Sequence, residues 1–215
     1  MARISGTNSN DSLQGTTVND SIFALGGDDY VSAGSGNDYV ELGSGNDYGD
    51  GGEGSDTLWG GKGNDYLDSG YDWNDPASVN SLYGEAGNDY LYGSAGTDYL
   101  YGGTGNDNDL YGSYGNDYIN GGAGQDISLY GGPGSDTFDF DSAKDSTSLA
   151  PDIIRDFSGY QGEGDIIDLT SLGITSVSSL SYNNGVLTAD VQGGNDFEIA
   201  LDGSPPLDLS MDILL

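Results

Sequence analysis

An aspartate recurs at every ninth residue in the first third of this chain, and most of these aspartates follow a glycine by two residues. The series runs through Asp11, Asp20, Asp29, Asp38, Asp47, Asp56 and Asp65, and after a break it resumes with Asp89, Asp98, Asp107, Asp117, Asp126 and Asp136. Carboxylates at a fixed short spacing can act as oxygen ligands for a metal ion if the fold stacks them on one another.

The repeated unit is a nonapeptide, as in GEAGNDYLY and GSAGTDYLY at residues 84–101. A glycine-rich turn ends with the aspartate at position six, and a short strand follows with an apolar residue at position eight. The first units place Leu13, Ile22, Val31, Val40, Leu58 and Leu67 at position eight, whereas Gly49 is predicted to leave one core position empty. A unit this short cannot bury its own apolar residue, so the units must stack into a continuous core.

Stacking predicts an all-β fold in which each strand bonds to the coils above and below it. The turns would then bring the aspartates into columns about 5 Å apart, which is the spacing of neighbouring strands. Carboxylates so close would repel one another unless a cation lay between them. Calcium accepts six to eight oxygens in flexible geometry, whereas magnesium demands a tighter octahedron, so the pattern predicts several Ca²⁺ ions.

The units GGEGSDTLW, GGKGNDYLD and GGPGSDTFD fully match GGxGxDxUx, the nonapeptide of the RTX proteins. The resemblance covers about residues 6–140 and implies a right-handed parallel β-roll with Ca²⁺ between turns on the same side. It implies carboxylate ligands at Asp29, Asp38, Asp47, Asp56, Asp65, Asp89, Asp98, Asp107, Asp117, Asp126 and Asp136. It also implies backbone carbonyl ligands in the glycine turns, marked by Gly27, Gly36, Gly45, Gly54, Gly63, Gly87, Gly96, Gly105, Gly115, Gly124 and Gly134.

Two turns at the start of the repeats depart from this pattern. Ser9 and Val18 stand where the other turns have the position-four glycine, so Asp11 and Asp20 are left out of the predicted ligand set. We expect about eight to ten ions if each ion links two stacked turns.

The chain is predicted to have two regions, a β-roll at residues 6–140 and a β cap at residues 141–215. Within the roll, about six extra residues predict an enlarged surface loop at about 69–81, where Trp73 is the candidate for a specific contact. Glycine becomes rarer after Phe140, and the residues Asn183, Asn184 and Gly185 between two strand-like segments predict a hairpin.

Residues 152–173, DIIRDFSGYQGEGDIIDLTSLG, resemble the end of serralysin-type proteases and the R-modules of mannuronan C5-epimerases. The last four residues, DILL, resemble the terminus of the protease-type type I secretion signal, and residues 1–11 contain no apolar core of a cleavable leader. This resemblance implies a secreted protein whose partner is a type I secretion apparatus.

The composition excludes several classes of function. The chain has 36 acidic and 4 basic residues and a formal charge of −32, which argues against nucleic acid and anionic membranes as partners. It has no histidine and no cysteine, so His-ligated zinc, a Ser-His-Asp triad and a Cys-His dyad are excluded. No 18-residue apolar run predicts a membrane span. We therefore expect a non-catalytic calcium-binding module.

Two alternatives remain open at this stage. The chain could be an accessory R-module of an alginate epimerase, or of another extracellular polysaccharide-active enzyme or protease, with polysaccharide as a partner. It could also be a surface protein that binds ice or glycan through outward tyrosines, which recur at positions seven and nine. The simpler interpretation of these tyrosines is that they are good strand formers on a half-exposed sheet.

Overall fold

The computed structural model describes residues 1–71, 75–159, 162–191, 195–203 and 205–215, with only the backbone described at 195 and 196. Trp73, the candidate contact residue of the enlarged loop, lies outside these ranges. Within them, no helix has the length and apolar character needed to cross a membrane.

Two sheets, each of eleven strands in the described residues, face each other across a narrow core. Successive nonapeptides alternate between the sheets, so a strand pairs in parallel with the strand 18 residues further along, as Ile22 does with Val40. The first sheet contains Arg3–Ser5, Ser21–Gly26, Tyr39–Ser44, Thr57–Lys62, Val79–Ala86, Ala95–Thr104, Tyr114–Gly115, Tyr118–Ala123, Thr137–Asp139, Ile166–Asp168 and Ile213–Leu214. The second contains Ser12–Gln14, Tyr30–Ser32, Tyr48–Asp50, Tyr66–Asp68, Tyr90–Tyr92, Asp109–Tyr111, Leu129–Tyr130, Asp152–Ile154, Leu180–Asn183, Val186–Val191 and Asn195–Leu201.

This arrangement is a parallel β-roll, as predicted. Its core is the double row of position-eight side chains, which are fully buried along most of the roll. Burying each of these aliphatic side chains contributes about 1.5–3 kcal/mol. Because no single coil has more than two of them, the stability of a coil depends on its neighbours.

The prediction of an empty core position at Gly49 was wrong. A Cβ at Gly49 would lie 3.1 Å from Leu42 Cδ1 and 3.5 Å from Leu58 Cδ2. Leu42 stands at position one of its own unit, where most units have glycine, and it is fully buried. The larger side chain at position one therefore fills the space that the glycine at position eight leaves.

The enlarged loop lengthens one coil without breaking the sheets. Thr57 pairs with Ser81, an offset of 24 residues where regular coils have 18, which confirms the six extra residues. The strand Val79–Ala86 begins inside the segment that was predicted to be loop.

The strands after residue 140 continue the two sheets. Ile166–Asp168 pairs in parallel with Thr137–Asp139, and Leu129 pairs with Ile154. The second sheet then ends in three strands joined by antiparallel pairing, including the predicted hairpin of Leu180–Asn183 with Val186–Val191, which is confirmed. Two short 3₁₀ turns, Thr170–Leu172 and Val177–Ser179, lead from the strand Ile166–Asp168 to the first of these three strands.

The outward aromatic side chains form separate stacks on the two sheets. On the second sheet the rings of Tyr30, Tyr48 and Tyr66 stack with centroids 4.9 and 5.1 Å apart. On the first sheet Trp59 stacks on Tyr83 at 3.9 Å. The aromatic residues thus pack ring against ring along the strand ladder, and they do not form one common face.

Candidate functional site

The predicted aspartates lie at the two edges of the roll, where the chain turns from one sheet to the other. Because successive units alternate, they form two ladders. The first ladder consists of Asp11, Asp29, Asp47, Asp65, Asp89, Asp107, Asp126 and Asp152. The second ladder consists of Asp20, Asp38, Asp56, Asn80, Asp98, Asp117, Asp136 and Asp165.

One oxygen of each carboxylate holds the ladder together. The backbone N–H of Asp29 donates to Oδ1 of Asp47, one coil later, at 2.7 Å, and Asp107 N–H donates to Asp126 Oδ1 at 2.8 Å. The same bond recurs between almost all successive members. A charge-assisted bond of this kind is stronger than a neutral one, so it fixes the orientation of each carboxylate.

The second oxygen, Oδ2, is buried and accepts no hydrogen bond in ten of these carboxylates. Among the described residues these are Asp29, Asp38, Asp47, Asp65, Asp89, Asp107, Asp117, Asp126, Asp136 and Asp152. Burying a charged oxygen without a partner is costly. A repeated set of such oxygens therefore fits a bound cation.

The glycine turns bring backbone oxygens close to these carboxylates. At Gly112, the position of a Cβ would lie 2.5 Å from Asp117 Oδ2 and 2.7 Å from the carbonyl oxygen of Gly131, one coil further. The space beside the glycine therefore has both a carboxylate and a carbonyl oxygen at its edge. Both are hard oxygen donors of the type that calcium prefers.

The position-four glycines stack in the same two columns. A Cβ at Gly63 would collide with the carbonyl oxygen of Gly45, and one at Gly105 would collide with that of Gly87. The carbonyls of the predicted glycines thus point along the roll toward the next turn. Neighbouring coils can approach this closely only because position four has no side chain.

In four ladder aspartates, Asp11, Asp20, Asp98 and Asp165, a protein donor occupies Oδ2, and for Asp165 the donor is the N–H of Ser158. Oδ2 of Asp20 accepts bonds from the N–H and the hydroxyl of Thr16, both at 2.7 Å, and Thr7 does the same for Asp11. The amide of Ala2, followed by the Thr16 hydroxyl, lowers the pKa of Asp20.

Asp98 is the third exception, and it lies beside the enlarged loop. Its Oδ2 accepts the N–H of Ser94 at 2.7 Å, and its Oδ1 accepts a bond from the side-chain amide of Asn80 at 2.8 Å. Asn80 also accepts the N–H of Asp56 through its Oδ1, so it takes the place of an aspartate in the second ladder. Protein donors thus surround Asp98, which was predicted as a metal ligand.

We predict that Asn80→Asp destabilises the metal-free roll. The change removes the donor to Asp98 and places two buried carboxylates side by side, a loss that costs about 1–3 kcal/mol. Asn64→Asp is the matched control, because Oδ1 of Asn64 accepts the N–H of Asn88 and an aspartate keeps that acceptor. Urea unfolding in metal-free buffer at about pH 6.5 measures both variants, because stronger acidification would protonate the new carboxylate and restore a donor to Asp98. Equal stability of the two would contradict the role given to Asn80.

Burial raises the pKa of several other ladder carboxylates. It is the main cause that raises the pKa of Asp107 and Asp117 to about 8, and that of Asp65, Asp126 and Asp136 to about 7. The neighbouring ladder aspartates raise the pKa of most of them further. Without a cation, the folded chain thus disfavours the ionised form of these carboxylates near neutral pH.

In the described residues, no three acidic side chains converge on one point. A cation in the ladders would therefore take few side-chain ligands, and the turn carbonyls would supply the rest of its coordination. This division of ligands is the one expected from the sequence.

The sequence prediction missed three ladder members, Asn80, Asp152 and Asp165. The last two lie beyond the glycine-rich region, but both begin the triplet Asp-Ile-Ile, in which the second isoleucine is buried like a position-eight residue. This aspartate-to-apolar spacing was the signal that could have identified them.

The fold and the ladders define a parallel β-solenoid with stacked oxygen sites along both edges. Residues 5–40, 42–70, 77–109 and 111–146 match the RTX calcium-binding nonapeptide repeat, and because these segments span more than half of the chain, it belongs to this family. The solution structure of the AlgE6R3 subunit from the Azotobacter vinelandii mannuronan C5-epimerase is similar at 19% identity and a TM-score of 0.28, covering 97% of this chain and 80% of that one. A search of curated proteins found no match.

Proposed function

We propose that this chain is a secreted, non-catalytic calcium-binding module that folds when it binds Ca²⁺. The observation that supports this proposal best is that, in the described part of the chain, ten buried Oδ2 atoms repeat at the spacing of the coils and accept no hydrogen bond. Membership of the calcium-binding repeat family supports the choice of ion.

The Oδ2 atoms of the ladders and the carbonyls of the glycine turns are the proposed ligands. Calcium would supply positive charge that offsets the repulsion between stacked carboxylates. Asp11, Asp20 and Asp98 are left out of the proposed sites, because Thr7, Thr16 and Ser94 already donate to their Oδ2 atoms. The ten Oδ2 atoms that remain in the described residues agree with the expected number of about eight to ten ions if each ion takes one of them together with carbonyls of a neighbouring turn.

The repulsion between the stacked carboxylates links calcium binding to folding and to export. Without a cation, folding would bury unpaired carboxylates in a chain that carries a formal charge of −32. An ion that binds only the folded state adds its binding free energy to the free energy of folding. We propose that the chain stays unfolded at cytosolic calcium levels, passes through a type I secretion apparatus, and folds outside at calcium concentrations of about 10⁻⁴–10⁻³ M.

The state of the C-terminal carboxylates supports a non-catalytic role. Asp165 and Asp168 are an example of two carboxylates close in sequence, the kind of pair that glycoside hydrolysis uses. Both oxygens of Asp165 accept backbone N–H bonds, from Asp136 and Ser158, and Oδ1 of Asp168 accepts the N–H of Thr170. These hydrogen bonds orient the carboxylates toward backbone N–H groups. Asp165 is also buried, so its side chain is not accessible to a substrate in solution.

Far-ultraviolet circular dichroism during a calcium titration tests this proposal. We expect a cooperative transition from coil to β structure between EDTA and millimolar Ca²⁺, because each ion joins two turns. Mg²⁺ at the same concentration should not produce the transition, since it requires a tighter octahedron and keeps its waters. A full β signal in EDTA at pH 8, unchanged by calcium, would overturn the folding switch.

A further inference from the structure

A shallow cavity of about 680 Å³ lies beside the enlarged loop, on the turn edge of the roll that carries the second ladder. Three ring side chains, those of Pro76, Tyr114 and Pro133, line it, and all three residues are exposed. Ala95 also lines the cavity, but it is only 7% exposed. The volume is within the range of small-molecule sites.

The nonapeptide repeat places these side chains in one column. Ala95, Tyr114 and Pro133 are the third residues of the units that begin at Gly93, Gly112 and Gly131. Ala95 pairs with Tyr114, one coil later, and the N–H next to Tyr114 donates to the carbonyl of Pro133 at 3.1 Å. A small residue followed by two ring side chains in the same column leaves a depression above the small one.

The enlarged loop forms the other wall of this depression. The N–H of Thr97 donates to the carbonyl of Ser78 at 3.0 Å, so the end of the loop stacks on the turn that contains Ala95. Pro76 belongs to this part of the loop and lines the cavity opposite Tyr114 and Pro133. The extra residues of the loop therefore provide a wall that a regular coil lacks.

The turn beneath the cavity is held by protein donors. Oδ2 of Asp98 accepts the N–H of Ser94 at 2.7 Å, and its Oδ1 accepts the side-chain amide of Asn80 at 2.8 Å. Asp98 is outside the proposed calcium sites for this reason. The shape of the cavity thus depends on hydrogen bonds at this turn and not on an ion there.

The lining is uncharged although the chain is strongly acidic. None of the eight residues around the cavity carries a charge, whereas the whole chain has 36 acidic residues. The ring of Tyr114 supplies an apolar face, and the side chains of Thr97 and Asn116 supply polar groups. Asn116 is held in place, because its Oδ1 accepts the N–H of Ser135 at 2.9 Å.

We propose that this cavity binds a neutral saccharide, with one sugar ring against Tyr114 and its hydroxyl groups bonded to Thr97 and Asn116. The C–H face of a pyranose packs on an aromatic ring, and a few placed polar groups orient the rest of the ligand. The formal charge of −32 repels an acidic saccharide. A charged peptide side chain would find no opposite charge in the lining. The site goes beyond calcium binding, because no ladder carboxylate lines it.

NMR titration of the calcium-loaded chain with cellotriose, laminaritriose and maltotriose tests the site, with trimannuronate as the acidic comparison. We expect a neutral trisaccharide to shift the signals of the Ala95 methyl group and the Tyr114 ring. Tyr114→Ala should bind it at least about tenfold more weakly, because the aromatic contact is lost. This variant should fold, since Ala86 and Ala123 are third residues of other units. Tyr30→Ala is the control: Tyr30 is 50% exposed, does not line the cavity, and its loss should leave binding unchanged.

The other outcomes overturn the proposal or replace the readout. If none of the three neutral trisaccharides shifts these signals, or if Tyr114→Ala binds as well as Tyr30→Ala does, the proposal is wrong. It is also wrong if trimannuronate or an uncharged proline-rich peptide shifts them and the neutral sugars do not. If Tyr114→Ala does not fold in calcium, the shift map of the unchanged chain decides. Shifts centred on Ala95, Thr97 and Tyr114 support the site, and shifts centred elsewhere on the roll overturn it.

Discussion

In metal-free buffer, lowering the pH from about 8 to about 5 is expected to fold the roll. The ladder carboxylates of Asp107 and Asp117 have pKa values of about 8 in the folded chain, mainly because they are buried. An unfolded aspartate has a pKa of about 3.9. Between these values the folded state binds protons that the unfolded state does not.

The sign of the effect follows from this difference. Stability falls as pH rises wherever the folded state binds more protons, so the metal-free roll loses stability between about pH 4 and pH 8 and regains it on acidification. Each proton held only by the folded state contributes a slope of about 1.4 kcal/mol per pH unit. Several ladder aspartates titrate in this window, so the expected change is large compared with the usual stability of a domain.

Circular dichroism in EDTA at pH 8, 6.5 and 5 measures the effect, with light scattering to exclude aggregation. In saturating calcium the dependence should reverse, because protons then compete with the ion for Oδ2. A metal-free chain with the same unfolded spectrum at pH 5 and pH 8 would contradict the assignment of the buried carboxylates.

Gly63→Ala is expected to destabilise the roll by at least about 3 kcal/mol, even in saturating calcium. Gly63 has φ +125°, and a Cβ there would collide with the carbonyl oxygen of Gly45. At this φ, the backbone conformation alone costs about 1–3 kcal/mol for a residue with a Cβ. Relief of the collision requires two coils to separate, which would disturb the apolar core and the adjacent turns together.

Gly173→Ala separates the two causes of this loss. Gly173 also has a positive φ, of +70°, but a Cβ there would meet no atom within 4 Å. We expect this control to cost only about 1 kcal/mol. Urea unfolding in saturating calcium compares the two variants. Similar losses in both would mean that the backbone conformation, and not the close approach of the coils, decides the cost.

The period of nine made most of the fold predictable from the sequence. It placed Leu58 and Leu67 in the core and the position-six aspartates in the turns, because both properties repeat in every unit. The sequence did not predict that Leu42 fills the space beside Gly49. The two residues belong to different units, and only the packing of the core brings them together.

The state of each candidate site depended on contacts that the period does not specify. Asp98 has the same position in its unit as Asp107, yet donors from Ser94 and Asn80 surround it. These donors come from Ser94, which replaces a turn glycine, and from Asn80 on the strand that follows the enlarged loop. Asp152 was missed because no glycine turn precedes it, although its spacing to the buried Ile154 follows the repeat.

The alternation of the nonapeptides between two sheets has a consequence for how such a chain can change length during evolution or engineering. Loss of one nonapeptide would transfer every preceding strand to the opposite sheet relative to the strands that follow. The stack of Tyr30, Tyr48 and Tyr66 would then be displaced from its partners, and the two ladders would exchange members. Loss of eighteen residues would remove one complete coil and leave every register intact. The unit that can be gained or lost without damage is therefore the pair of nonapeptides.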